Sequence, residues 1–258
     1  MRKSKTLARI RKNETVRMCC LGHFMPFFVS HAAHVGFDCI WLDLEHRNFS
    51  DREVQTLLVH SHLHDIDIMV RPATTEKTRL YRYLEDGAAG LMIPHVNTVE
   101  KAKSLVDAVK YPPIGDRGLD GAGLDADYYL GNVDEFVKHA NQETFLVVQI
   151  ETLQALENVN EIAALPGLDG LFVGPGDLNL RLKLNDVGVT LESAYERVAA
   201  ASKQHGKAWG CPVGTPEILK KRQQQGGQLL NHGGDFGAIM EMLKNSIAAF
   251  NSSERGTP

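Results

Sequence analysis

The sequence is poor in features that would commit it to a membrane, a nucleic acid or an oxidising compartment. Its four cysteines, Cys19, Cys20, Cys39 and Cys211, show no metal-type CxxC spacing. Most lie in apolar runs, where buried free thiols are the rule, so a reducing cytoplasm is the expected setting. No apolar run is long enough to span a bilayer. Met18–Val29 follows basic residues as a secretion signal would, but His23 and Pro26 interrupt it and no small-residue cleavage pattern closes it. The 28 basic and 32 acidic residues leave a net charge of −4, which gives no general attraction to nucleic acid or acidic membranes. The single basic run, Arg2, Lys3, Lys5, Arg9, Arg11 and Lys12, reads as a solvated helix or a fraying tail. Neither GxGxxG nor GxxxxGK with Ser or Thr follows the first apolar run, and no GxSxG elbow is present. No lysine stands at a strand end in an apolar pocket, and Lys207 opens a strand on the opposite face, which argues against a Schiff-base aldolase.

What is there is a regular alternation of short apolar runs and longer amphipathic ones. Strands are expected at Val16–Leu21, Cys39–Leu42, Asp67–Val70, Gly90–Ile93, Phe145–Ile150, Gly170–Val173, Lys207–Cys211 and Gln228–Asn231. Helices are expected at Phe27–Val35, Asp51–His62, Lys77–Asp86, Val99–Val109, Leu153–Ala164, Leu191–His205, Pro216–Gln225 and Phe236–Phe250. Ser50 and Thr98 serve as N-caps, and glycines such as Gly36, Gly87 and Gly206 follow helix ends. Eight strand–helix units in 258 residues favour an α/β protein, a closed (β/α)8 TIM barrel as one domain over residues 1–258; an open doubly wound sheet is the alternative. Tyr111–Thr144, with Pro112-Pro113, five glycines and one helix near Val133–Asn141, breaks the rhythm and reads as a lid or an inter-subunit element.

Charged residues stand at the ends of the expected strands. Trp41-Leu42 runs into Asp43-Leu44-Glu45-His46, Val70 into Arg71, Val148-Gln149-Ile150 into Glu151, and Val173 into Gly174-Pro175-Gly176-Asp177. A buried strand gains nothing from charge at its tip unless something there uses it, and in a barrel these C-terminal tips converge on one mouth. Glu151 and Asp177, on adjacent strands, suit a hard divalent cation that leaves positions for substrate and water; either could instead cap the helix that follows. His46 has Asp43 and Glu45 close by, and a carboxylate on one ring nitrogen would leave the other free for proton transfer. Arg71 needs an anionic partner, which a substrate carboxylate or a developing enolate would supply. His60, His62 and His64 read as solvent-facing residues at a helix end.

Taken in order, Asp43-Leu44-Glu45-His46, Val70-Arg71-Pro72, Gly90-Leu91-Met92-Ile93-Pro94-His95-Val96, Tyr111-Pro112-Pro113 with Arg117-Gly118, Gln149-Ile150-Glu151-Thr152 and Gly174-Pro175-Gly176-Asp177-Leu178 closely resemble the HpcH/HpaI aldolases. These are class II pyruvate-dependent enzymes that act on 4-hydroxy-2-oxo acids such as 4-hydroxy-2-oxoheptanedioate and 2-dehydro-3-deoxyglucarate. The resemblance implies a barrel of the phosphoenolpyruvate/pyruvate superfamily type, assembled as a hexamer (a trimer of dimers) with the last helix exchanged between subunits. It also implies Mg²⁺, Mn²⁺ or Co²⁺ on Glu151 and Asp177, His46 as base with Asp43 orienting it, and Arg71 on the pyruvate oxygen. Gln149 and the Gly176 backbone are similar to substrate-contacting positions. The implied reaction is metal-assisted retro-aldol cleavage to pyruvate and an aldehyde, with small-molecule partners and neither nucleic acid nor membrane.

The chain departs from the family pattern at Glu85-Asp86-Gly87, across Leu119–Leu130, and at Leu230-Asn231-His232-Gly233-Gly234-Asp235, where His232 is an added candidate to face a ligand. A citrate-lyase-β-like enzyme acting on a coenzyme A thioester is an alternative, although His46 replaces the acid such enzymes usually carry. A non-catalytic barrel paralogue is the other alternative, and the complete set of strand-end residues argues against it.

Overall fold

A computed structural model describes residues 2–185 and 188–254. Eight parallel strands, β1 (Val16–Leu21), β2 (Cys39–Asp43), β3 (Asp67–Arg71), β4 (Gly90–Ile93), β5 (Phe145–Ile150), β6 (Gly170–Val173), β7 (Ala208–Pro212) and β8 (Leu229–Gly234), pair in sequence order, and β8 closes onto β1. The fold is a (β/α)8 TIM barrel. Around it run α1 (Lys5–Arg11), α2 (Pro26–Val35), α3 (Asp51–Leu63), α4 (Lys77–Glu85), α5 (Val99–Val109), α6 (Val133–Glu143), α7 (Leu153–Glu157), α8 (Val159–Ala163), α9 (Pro175–Asn185), α10 (Leu191–His205), α11 (Pro216–Gln224) and α12 (Asp235–Glu254). Local chemistry sets many of the boundaries. Ser50 and Glu53 form a capping box at α3, Thr98 caps α5, and left-handed Gly36 and Gly206 end α2 and α10.

The two-residue period of a strand divides each run between two cores. Val16, Met18, Trp41, Met69, Met92, Phe145, Val147, Phe172 and Leu229 fill the barrel interior. Their neighbours Leu42, Val70, Leu91, Val148, Ile150, Leu171 and Val173 face the helices. Gly210 has no room for a side chain, because a Cβ there would stand 1.7 Å from the Leu229 carbonyl oxygen. The same period places Asp43, Arg71, Gln149 and Glu151 on the inward face, above Trp41, Met69 and Val147. The strands carry these four polar groups to the top of the apolar interior.

Several details differ from the sequence expectations. Of the two readings of the basic N-terminal run the helix holds and the fraying tail does not: α1 closes the barrel floor and has a buried side as well as a solvated one. Leu7 packs into the interior, while fully buried Asp67 accepts from Ser4 Oγ (2.6 Å), the Thr6 amide (2.8 Å) and Arg2 Nη2 (2.7 Å). The expected helix Leu153–Ala164 is interrupted at Asn158, and Pro175 opens a further helix, α9, at a position where proline is well tolerated. His60, His62 and His64 are half-buried rather than solvent-facing, and a ring nitrogen of His62 lies 3.0 Å from the Gly87 carbonyl. The excursion Tyr111–Thr144 holds a 3-10 turn and α6 and packs against α4. It bonds to α4 (Lys77–Asp116, 2.6 Å), to the N-terminal segment (Ser4 amide to Glu143, 2.9 Å) and within itself (Arg117–Asp125, 2.7 Å). His232 lines an outer groove with Arg9, Arg17, Phe37 and Leu219 instead of facing the mouth.

Candidate active site

The register of β2 against β3 sets Asp43 directly beside Arg71. Arg71 donates through Nε to Asp43 Oδ1 (2.9 Å) and through Nη2 to Oδ2 (2.8 Å), a bidentate pair. Its Nη1 reaches Glu45 (3.0 Å) and Gln149 Oε1 (3.4 Å), and the guanidinium lies 4.6 Å over the Trp41 ring. The anionic partner that Arg71 is expected to find in a substrate is supplied here by the chain's own Asp43 and Glu45, which the barrel register brings to it. Burial alone would raise the Asp43 carboxyl, but the hydrogen bonds and charge of Arg71 outweigh it and hold the group below the ordinary carboxylate value.

Asp43 does not touch the His46 ring. Its remaining contacts are with the backbone N–H groups of Glu45 (3.1 Å) and His46 (3.4 Å). The carboxylate nearest the imidazole is Glu45, 3.5 Å from His46 Nε2. His46 itself is exposed at the rim. The carboxylate beside the imidazole is thus Glu45 rather than the expected Asp43, which bonds instead to the backbone of the loop carrying both residues.

His95 is a further charged-type residue at this mouth, beside those expected from the strand ends. It sits just beyond β4 with φ +53°, a backbone region few non-glycine residues occupy. In that conformation its amide donates to Glu151 Oε1 (2.6 Å), and its Nδ1 lies 3.1 Å from the same oxygen. Its Nε2 faces Glu45 at 3.5 Å, and Lys101 Nζ holds its carbonyl at 2.8 Å. The apolar run ending in Pro94-His95 carried the same strand-end signal that singled out Asp43 and Arg71. Beside it opens a cavity of about 400 Å³ lined by Glu45, Pro72, Thr74, Thr75, His95 and Lys101.

Glu151 is almost fully buried, and it is not a helix cap: Thr152 caps α7, leaving the Glu151 side chain to the mouth. Gly174 makes room for it, since a Cβ there would stand 2.4 Å from Glu151 Oε2. Burial raises the Glu151 carboxyl above its ordinary value. His95 opposes that shift, and the charges of Glu45 and Asp177 add to it. Asp177, in the first turn of α9, pairs with Arg181 (2.6 Å). Gly176 is exposed in the same turn, where helix N–H groups lack intrahelical acceptors. The four cysteines are free, and burial pushes the Cys19 and Cys20 thiols up to about 12, so neither supplies a thiolate nucleophile near neutral pH.

The residues at this mouth fit a divalent cation. Asp43 is matched by Arg71 and Asp177 by Arg181, whereas Glu151 has only an imidazole, an amide and Gln149 Nε2 at 3.2 Å. Among the described residues no arginine or lysine pairs with Glu151, and the further charges bearing on it are the carboxylates of Glu45 and Asp177, hard oxygen donors of the kind such a cation prefers. Among the described residues no group of three or more His, Cys, Asp or Glu side chains is spaced to hold a metal. A two-carboxylate site completed by substrate and water requires no third.

A barrel with acid, base and guanidinium groups at the C-terminal mouth is the architecture of an enzyme that does chemistry at its strand ends. The HpcH/HpaI aldolase/citrate lyase family model matches residues 17–239, and the chain belongs to that family of carbon–carbon lyases. It is 31% identical over 249 residues to the 2-keto-3-deoxy-L-rhamnonate aldolase of Salmonella paratyphi B, covering 94% of this chain and 91% of that one. It is 30% identical over 254 residues to the enzyme of the same name from Escherichia coli O9:H4, covering 96% and 93%. A crystal structure of an HpcH/HpaI aldolase from Desulfitobacterium hafniense superposes with a TM-score of 0.86 at 27% identity, covering 97% and 96% of the two chains.

Proposed function

We propose that the chain is a divalent-metal-dependent aldolase that cleaves, or forms, a 4-hydroxy-2-oxo acid to give pyruvate and an aldehyde. The observation that carries this reading is the mouth cluster. Arg71 is fixed by Asp43, and Glu151, which no arginine or lysine among the described residues matches, lies at the end of β5 under the charge of Asp177 in the first turn of α9. Glu151 and Asp177 would hold Mg²⁺, Mn²⁺ or Co²⁺. A bound cation would supply Lewis-acid stabilisation of charge on the 2-oxo oxygen.

The chain's own residues divide the remaining work. His46, with Glu45 beside its ring, takes the proton of the C4 hydroxyl. The C3–C4 bond then breaks, its electron pair passes to C3 as the pyruvate enolate, and the aldehyde leaves. Arg71 stabilises the enolate oxygen, and Gln149 and the Gly176 amide orient the 2-oxo acid. A proton added at C3 completes pyruvate. His95, locked by Lys101, keeps Glu151 turned toward the mouth. The cavity beside Thr74 and Thr75 accommodates the aldehyde half.

Assembly belongs to the same reading. Phe236, Ile239, Met240, Leu243, Ile247 and Phe250 form one exposed apolar stripe along α12. A groove of about 590 Å³ runs between α2 and α11 and is lined by Val35, Phe37, Leu219 and Leu230. The stripe of a second copy fits that groove, giving a homo-oligomer (a hexamer built as a trimer of dimers) with exchanged C-terminal helices. Light scattering on the full chain and on a chain ending at Asp235 tests this, with the truncated chain expected as monomer.

The activity test is pyruvate release from 2-keto-3-deoxy-L-rhamnonate and from a panel of 4-hydroxy-2-oxo acids, with Mn²⁺ and with EDTA. Release from at least one substrate, abolished by EDTA and restored by Mn²⁺, is the expected result. Metal-independent release, or none across the panel, removes the proposal.

A further inference from the structure

His46 is held by its peptide groups from two directions. On the inner side Asp43 Oδ1 accepts its N–H, and on the outer side Arg47 Nη1 donates to its carbonyl at 2.7 Å. The inner anchor is part of the buried Asp43–Arg71 pair. The outer anchor is an exposed arginine whose guanidinium lies 4.5 Å over the ring of Phe236, the second residue of α12.

Phe236 is itself fixed. Its ring meets that of His23 at 4.2 Å, and His23 Nδ1 lies 2.6 Å from Asp235 Oδ2, which also accepts the Gly22 amide at 3.0 Å. Gly22 leaves the space in which this happens: a Cβ there would stand 2.9 Å from Phe236 and 3.1 Å from the Arg47 Nε. The β1–α2 loop, through His23, and the β2–α3 loop, through Arg47, therefore meet on one aromatic ring of α12. Beyond that ring α12 turns its apolar stripe to solvent, so the root of the helix is tied to its own barrel while the remainder is free to dock elsewhere.

We infer that Arg47 and Phe236 are positioning residues, and that they transmit the seating of α12 to the loop that carries His46. The inference rests on the reading of His46 as the proton-transferring group. Neither residue touches substrate; both act by holding the His46 carbonyl where the ring reaches the C4 hydroxyl. A link of this kind affects turnover and leaves binding of the 2-oxo acid unchanged.

The test is steady-state kinetics on the full-length enzyme with Mn²⁺, using the 4-hydroxy-2-oxo acid that the wild type cleaves fastest, with light scattering on every variant. Arg47→Ala and Phe236→Leu, which keeps an apolar side chain but loses the π face, are each expected to lower kcat about two- to fivefold at unchanged KM. The double variant is expected to fall no further than the worse single one, because both break the same link. Arg47→Lys, which still donates and still faces the ring, is expected to retain most of the turnover. Wild-type kcat in either single variant overturns the inference, as do losses that multiply in the double variant or losses that track disassembly. His46→Ala separates the two levels. If it is inactive while Arg47→Ala and Phe236→Leu are neutral, only the link is wrong; if it turns over like wild type, the base assignment falls and the link falls with it.

Discussion

The two ends of this barrel use the same residue types for opposite purposes. At the floor, Asp67 receives a guanidinium, a hydroxyl and an amide, and Asp38 receives the Arg17 amide with two hydrogen bonds from the Arg17 guanidinium. Each floor carboxylate is saturated by its own chain. At the mouth, Glu151 is as buried as Asp38 yet has two further carboxylates bearing on it and, among the described residues, an imidazole in place of an arginine or lysine. Burial and strand-end position therefore do not mark a functional carboxylate. What distinguishes the mouth is charge left uncompensated, for which the fold pays with a positive φ at His95 and with the missing side chain at Gly174.

The sharpest way to separate the two ends is to remove one side chain from each. His46→Ala at the mouth is expected to lower kcat by about 10²- to 10⁴-fold, with a thermal midpoint within a degree or two of wild type. Asp67→Ala at the floor should do the reverse. It leaves Arg2 and two further donors without their acceptor and is expected to cost about 3 kcal/mol in denaturant unfolding, while the folded fraction keeps near-normal turnover. A floor variant that loses turnover and keeps its stability would break the division.

Glu151→Gln probes the uncompensated charge itself. It removes a carboxylate that burial disfavours, so unfolding in the absence of metal should show unchanged or slightly higher stability, by up to about 1 kcal/mol. A loss of several kcal/mol would mean that Glu151 is saturated like Asp67. The smallest expected effect lies away from both ends, at Glu192. Hydrogen bonds from Arg222 hold its carboxyl at about 2, against an ordinary value of 4.5. A depressed carboxyl contributes stability that is present above the ordinary value and lost as pH falls through the interval down to the folded value. Glu192→Gln should therefore flatten the acid limb between those two values and leave the neutral limb parallel to wild type, as pH-dependent urea unfolding would report.

Most of the barrel was legible because buried parallel strands are short apolar runs with turn residues around them. The errors have physical causes. β2 and β3 run one residue further than expected, through Asp43 and Arg71, because these charges satisfy each other across the ladder. The buried side of α1 is hard to see in the sequence because charge dominates its composition, whereas Thr6 and Leu7 supply that side. At the site, Glu151 and Asp177 were visible as strand-end acids. The Glu45–His46 proximity depends on loop geometry, and the role of His95 depends on a backbone conformation that residue type does not encode. The link from Arg47 to Phe236 joins positions 189 residues apart in the chain, and only the closure of β8 onto β1 brings them together.

The central claim is that the mouth enolises pyruvate, with Glu151 and Asp177 providing the metal site. It is tested most directly by following exchange of the pyruvate methyl protons in D₂O by NMR, for wild type and Glu151→Gln, with Mn²⁺ and with EDTA. Rapid exchange is expected only for wild type with metal. Equal exchange in Glu151→Gln, or no exchange by wild type with any divalent ion, would contradict it.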